Sequence, residues 1–394
     1  MNILVIGNGF DLAHDLPTKY EHFLEFTKAY EKYSPICKHG KSVEAEWKIA
    51  DDRNKEYLIY FANLCEKKKK LFAELGTLIE DNVWLKYFDE IYESRKRDGK
   101  DGWIDFESEI SDVIQEFDNI KKKMKENLKD GSEVTYLKPH QIERLEQFFV
   151  NEEEPETVEE IGIIKKYLLK DLDRLIRCLE IYLSDFIGGG EEPELLPDIE
   201  SLPYLDKVLS FNYTNTYERL YKQHPFLEYD YIHGKAEINN TIDSNNMVLG
   251  IDEFLKGEEK NENIEFIEFK KFYQRIHKET GCLYRNWVDE VKSNKAVSEI
   301  TALFNKDGND GKQTKQVSYH KVFFFGHSLD ITDKDVLRDF ILNDNVQTTI
   351  FYLNKSDYGR KIANLVKVIG QDELIKRTGG ATKTITFKKI AEKE

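Results

Sequence analysis

The run Asn2–Ile6 is apolar and partly β-branched, and Gly7 follows it without a spacer. This reads as a buried strand feeding a glycine turn. The next such run is Lys207–Phe211. Between them, from about Val43 to Ile187, apolar residues recur at helical spacing. Tyr57, Phe61, Leu64, Phe72 and Leu75 mark one face. Trp103, Phe106, Ile110, Val113, Phe117, Ile120 and Met124 mark a second, and Ile164, Leu168, Leu172, Leu175, Leu179, Tyr182 and Phe186 a third. After Gly188, Gly189 and Gly190 and an acidic stretch to Pro203, strand candidates return: Lys207–Phe211, Tyr229–Ile232, Met247–Leu249, Lys321–Phe325 and Thr348–Leu353. Helical patterns such as Val336–Leu342 and Arg360–Ile369 lie between or after them. Strands alternating with helices predict a parallel α/β sheet. The first strand is cut off from the others by helices, so the helices form an insertion. The expected division is 1–42 for the first part of the α/β domain, 43–187 for an all-helical insertion, 188–203 for a linker and 204–394 for the remainder.

Lys and Arg number 58 against 74 Asp and Glu, a net charge of −16. That balance argues against a chain that mainly grips a phosphate backbone, so nucleic acid is not an expected partner. It leaves room for a local nucleotide pocket. No run of 18 apolar residues exists, which excludes a membrane-spanning helix. The N-terminal apolar run is too short for a signal peptide. Cys37, Cys65, Cys178 and Cys282 lie far apart with no CxxC, so free, mostly buried thiols in a reducing cytoplasm are expected. Nine histidines without metal spacing, and the lack of HExxH, a Walker A loop and GxSxG, lower the metalloprotease, P-loop and α/β-hydrolase readings. No metal is expected.

Five short motifs could carry chemistry. In G-N-G-F-D, Gly7 and Gly9 let the backbone turn sharply and approach a phosphate, with Asn8, Phe10 and Asp11 beside them. Leu12 holds the third glycine position, and the glycines equally serve turn geometry alone. In S-F-N-Y-T-N-T-Y-E, Asn212, Tyr213 and Thr214 follow a strand, where ligands of open α/β sheets bind. Asn212 there can orient a water or a carboxamide; the alternative is that Asn212 and Thr214 cap the next helix. In I-H-G, His233 precedes Gly234, which leaves the ring open to a ligand and its proton chemistry near neutrality. In F-F-F-G-H-S-L-D-I-T-D, Gly326, His327, Ser328 and Asp330 follow an apolar strand and can hold a phosphate or ribose, or form a plain strand–turn–helix junction. Thr332 with Asp335 predicts a capping box there. In W-I-D-F-E, Trp103 and Phe106 suit core packing, and Glu107 is a candidate carboxylate.

The order of these motifs, G-N-G-F-D with L-P-T-x-Y, then W-x-D-F-E, F-N-Y-T-N-T-Y-E, I-H-G and G-H-S-L-D, resembles the bacteriophage abortive infection AbiH family over nearly the whole chain. Asp15 stands where that family often has a small residue. The order is also remotely similar to the sirtuin-like fold of antiphage NAD hydrolases, a Rossmann-like parallel sheet. That likeness implies that Gly7 and Gly9 approach the pyrophosphate of NAD. Asn212 would hold the nicotinamide side of the scissile bond and its water, and His233 would be the polar catalytic group near the ribose. Gly326 and Ser328 would bind the adenosine side. Asp11 replaces a serine of that pattern and Thr214 an aspartate. The zinc-binding cysteines of deacetylases are missing, so deacetylation is the least supported of these activities.

The resemblance thus implies a cytoplasmic antiphage protein that binds NAD or a related nucleotide and hydrolyses it on infection. The helical insertion would meet a phage-derived trigger or partner protein, and self-association stays open. Two other readings remain. One is a nucleotide-sensing or interaction module without catalysis. The other is a Mg²⁺ nuclease in which Asp11, Glu107 and Asp330 converge.

Overall fold

The structure, a computed structural model, describes residues 1–39, 43–98, 104–130, 139–149, 153–221, 224–304, 319–380 and 383–391. Trp103 lies outside them. The chain divides into two compact units. The first comprises Met1–Pro17, Glu191–Lys235 and Glu279–Glu394; the second comprises Thr18–Gly190 and Ala236–Lys278. The helical unit therefore begins at Thr18, not at 43, and takes in a later segment that the helical periodicity did not mark.

The first unit is built on six strands: β1 (Asn2–Ile6), β2 (Lys207–Ser210), β3 (Glu228–Tyr231), β4 (His320–Phe325), β5 (Val346–Tyr352) and β6 (Ile385–Lys389). They form one all-parallel sheet in the order β3-β2-β1-β4-β5-β6. This is the doubly wound order, an α/β Rossmann-like fold, with many helices beside the sheet. Leu4 of β1 faces Val208 on one side and Phe323 on the other. Alternation along each strand splits the apolar side chains into two cores. Ile3, Val5, Leu209, Val322, Phe324, Val346 and Ile350 pack with the helices Lys334–Ile341 and Lys355–Ile369. Leu4, Ile6, Val208, Phe323, Phe325 and Phe351 pack on the other face with Phe10, Tyr217 and Tyr221. Asn354 starts the helix Lys355–Ile369 by accepting the Asp357 N–H at 3.0 Å.

The second unit is helical, and aromatic packing explains why the helix Tyr20–His39 belongs to it. Phe26 lies 5.1 Å from Phe61 and 4.9 Å from Tyr182, centroid to centroid, and Tyr30 lies 5.2 Å from Phe72. The faces expected over Tyr57–Leu75, Ile110–Met124 and Ile164–Tyr182 are buried. Met247–Leu249, expected as a strand, is not one. It is fully buried but pairs with no strand among the described residues. Side chains satisfy its backbone instead: Lys278 Nζ donates to the Met247 carbonyl at 2.6 Å, and Asn245 Oδ1 accepts the Met247 N–H at 2.7 Å. Of the cysteines, which are free, Cys178 is buried, Cys37 and Cys65 are half-buried and Cys282 is exposed, so burial is not the rule expected for them. Among the described residues no helix is long and apolar enough to cross a membrane.

Candidate functional site

In the order β3-β2-β1-β4-β5-β6 the winding reverses between β1 and β4. The carboxyl ends of the strands at that point form the crevice where open α/β sheets hold ligands. Two glycine turns meet there. The Gly7 N–H donates to the Phe325 carbonyl at 3.2 Å, and the Gly9 N–H to the Gly326 carbonyl at 2.9 Å. A Cβ on Gly9 would sit 2.7 Å from the Gly326 oxygen. Gly326 has φ +68°, and a Cβ on it would sit 2.1 Å from the Phe10 nitrogen. Close backbone approach between the two turns therefore requires these glycines, and it engages the Gly7 and Gly9 amides. Phe10 is fully buried in the apolar core, so its ring serves packing. Asn8 is exposed.

Asp11 follows in the short helix Asn8–Ala13 and is 1 % exposed. Its Oδ2 accepts the Thr214 hydroxyl at 2.6 Å and Asn212 Nδ2 at 3.2 Å. Thr216 donates its own hydroxyl to Thr214 at 3.2 Å. Asn212 and Thr214 thus turn to Asp11 and do not cap the following helix Thr216–Leu220, which has no side-chain cap. Among the described residues, Asp11 Oδ1 and Asn212 Oδ1 are buried without a hydrogen-bond partner. Burial pushes the Asp11 carboxyl up to about 6; the hydroxyls of Thr214 and Thr216 and the charge of Arg219 hold it from rising further.

His233 follows β3, beside Gly234 with φ +79°. Its Nδ1 is buried without a partner, and its Nε2 stands 3.7 Å from Asp333 Oδ1. The other oxygen of Asp333 stands 3.6 Å from His327 Nε2. Phe211 lies edge-on to both rings, 5.7 Å from His233 and 4.3 Å from His327. Tyr213, half-buried, has its ring 6.4 Å from that of His233. His327 Nδ1 accepts the Leu329 N–H at 2.8 Å, so its proton sits on Nε2. Burial lowers His327 to about 4. Two side chains brace this turn: Lys361 Nζ donates to the His327 carbonyl at 2.7 Å, and Asn364 Nδ2 to the Ser328 carbonyl at 3.0 Å. Ser328 is exposed, and its hydroxyl accepts the Asp330 N–H at 3.3 Å. The expected Thr332–Asp335 capping box is replaced: Asp330 caps the turn Ile331–Asp333 by accepting the Thr332 N–H at 3.2 Å.

The fold thus brings Asp11, Asn212 and Thr214 into one hydrogen-bonded group, and His233 and His327 around one carboxylate. Sequence reasoning missed Asp333, Thr216, Lys361 and Asn364. Asp333 ends the G-H-S-L-D-I-T-D run, and its acidic side chain just past a strand end was the available signal. Glu107 lies in the helical unit, where its carboxylate pairs with Lys271 at 2.6 Å. Among the described residues, no group of three or more His, Cys, Asp or Glu is arranged to hold a metal ion.

No curated protein and no solved structure matches the chain. The pattern of the bacteriophage abortive infection AbiH family matches residues 3–353, from β1 through to the end of β5. With that match spanning both glycine turns, the Asp11 group and the His233–Asp333–His327 group, the chain belongs to the bacteriophage abortive infection AbiH family and has a role in phage abortive infection.

Proposed function

We propose that this protein acts in abortive infection by binding NAD or a related nucleotide and hydrolysing the nicotinamide–ribose bond. One observation carries the reading. Among the described residues, Asp11 Oδ1, Asn212 Oδ1 and His233 Nδ1 are buried without a partner at the carboxyl ends of β1, β2 and β3. Each such atom costs about 1–3 kcal/mol unless a ligand or water satisfies it. Cleavage of an N-ribosyl bond passes through an oxocarbenium-like state, which needs positioning and electrostatic stabilisation more than a strong nucleophile. Asn212 holds the nicotinamide side and the water. His233, with Nε2 toward Asp333, keeps Nδ1 as the acceptor for a proton. Gly326, His327, Ser328 and Asp330 form the adenosine side. Gly7 and Gly9 lend shape beside the pyrophosphate, since their amides are engaged with the β4 turn. The protein works in the cytoplasm, without a metal, and its helical unit meets a phage-derived trigger or a second copy of the chain.

The test is the NAD level of a host before and after infection, with wild type and His233→Ala side by side. A fall in the wild type alone supports the reading. Stable NAD despite clear protection from phage overturns it. Protection that survives in the Asn212→Ala/His233→Ala double variant favours a non-catalytic nucleotide-sensing module.

A further inference from the structure

The Asp11 group has a donor–acceptor polarity that narrows its ligand. Asp11 and Asn212 are 1 % and 5 % exposed, and each keeps one oxygen without a partner. The hydrogen bond from Asn212 Nδ2 to Asp11 Oδ2 fixes which end of the carboxamide is occupied and leaves its oxygen over. The hydroxyls of Thr214 and Thr216 are spent inside the group, so they are not offered to a ligand. The nearby Gly7 and Gly9 amides are spent on Phe325 and Gly326. Among the described residues, the two side-chain oxygens left without a partner in this group, Asp11 Oδ1 and Asn212 Oδ1, are both acceptors, beside the second N–H of Asn212 and the charge of Arg219. Acceptors repel a phosphate oxygen and welcome a hydroxyl donor.

We propose that Asp11 and Asn212 form a ribosyl-hydroxyl subsite, in which Asp11 Oδ1 and Asn212 Oδ1 accept hydrogens from the hydroxyls of a ribose, not from its phosphates. This rests on the nucleotide reading above and assigns Asp11 a ligand that the pattern of motifs did not. A bound water is the other donor of the same chemistry, and the two sources separate by experiment. Asp11→Asn is the informative variant. The Thr214 and Asn212 donors keep the new carboxamide oxygen on their side, so an NH₂ group replaces the acceptor at the Oδ1 position.

Calorimetric titration of the full chain with ADP and with ADP-ribose is the measurement. The two probes differ by the terminal ribose. The subsite predicts ADP-ribose binding to wild type at least about tenfold tighter than ADP, a gain of about 1.4 kcal/mol. It predicts that Asp11→Asn reduces this preference to about twofold or less. Equal binding of the two probes to wild type, which needs no variant to fold, overturns the subsite and assigns the two acceptors to water. A preference unchanged in Asp11→Asn also overturns it. Binding of neither probe, nor of NAD, instead removes the nucleotide reading itself, and the subsite with it.

Discussion

Thr214 donates its hydroxyl to Asp11 Oδ2 at 2.6 Å, tying the end of β1 to the end of β2 across most of the helical insertion. A hydrogen bond to a buried carboxylate contributes about 1.5–3 kcal/mol. Thr214→Val keeps the shape and removes the donor. It should lower unfolding free energy by about 1–3 kcal/mol in urea melts at pH 7. A loss below the error of the melt would mean that Asp11 is neutral or held by its other donors.

Asp11 also predicts a pH dependence. Burial raises its carboxyl from 3.8 to about 6. Between those values the folded protein holds a proton that the unfolded chain has released. Stability from this group therefore falls as pH rises through that window, and the cost is complete above about 6. At about 1.4 kcal/mol per pKa unit the cost is roughly 3 kcal/mol. Asp11→Asn should thus be more stable than wild type at pH 8 and lose that advantage toward pH 4. A difference that does not change with pH would contradict this account.

His327 acts in the opposite sense. Its value is lowered from 6.5 to about 4 by burial. Below 6.5 the unfolded chain takes up a proton that the folded chain does not, so stability falls as pH drops toward 4. The loss is roughly 3 kcal/mol on the same conversion. His327→Asn retains an acceptor for the Leu329 N–H and should remove that part of the acid loss. Each variant must be compared with wild type pH by pH, because the two groups offset one another in wild type. If His327→Asn follows the wild-type acid curve, His327 is not buried in neutral form.

Asp333 stands close to both imidazoles and should steer His233. If NAD hydrolysis is the activity, Asp333→Asn should lower kcat by about 10- to 100-fold with little change in KM, since proton-transfer groups contribute about 10²–10⁴-fold. The same variant should shift the pH profile of kcat. An unchanged profile would leave Asp333 a purely structural residue.

The glycines make a contrasting pair. Gly326→Ala places a Cβ 2.1 Å from the Phe10 nitrogen at φ +68° and should cost more than about 3 kcal/mol or prevent folding. Gly359 sits in the helix Lys355–Ile369 with nothing within 4 Å of a Cβ, so Gly359→Ala should gain about 0.5–1 kcal/mol. Melting temperatures of the two variants decide both at once. A mild Gly326→Ala would mean that the two turns do not touch.

The α/β class was legible because β1, β4 and β5 are apolar runs at strand length and the helices between them keep a 3.6-residue period. β6, with the sequence Ile-Thr-Phe-Lys-Lys, was not legible. It is an edge strand whose outer residues face solvent, so its apolar signal is thin. Met247–Leu249 failed in the other direction: its apolar run reports burial, and burial does not require a ladder. The strand-end motifs at Gly7, Asn212, His233 and Gly326 were visible as residue types following apolar runs. Their partners were not.

By itself, the sequence determined most of the elements and the residues at their ends, β6 and Met247–Leu249 excepted, because periodicity and glycine turns are local properties of the chain. Only the tertiary structure decided that Asn212 and Thr214 bind Asp11 and do not cap a helix, that Asp333 serves two histidines, and that Gly9 and Gly326 exist to let two turns touch. Apart from Asp333 with His327, those are contacts between residues far apart in sequence. Their energies depend on burial and on which donors and acceptors remain unpaired once the sheet has closed.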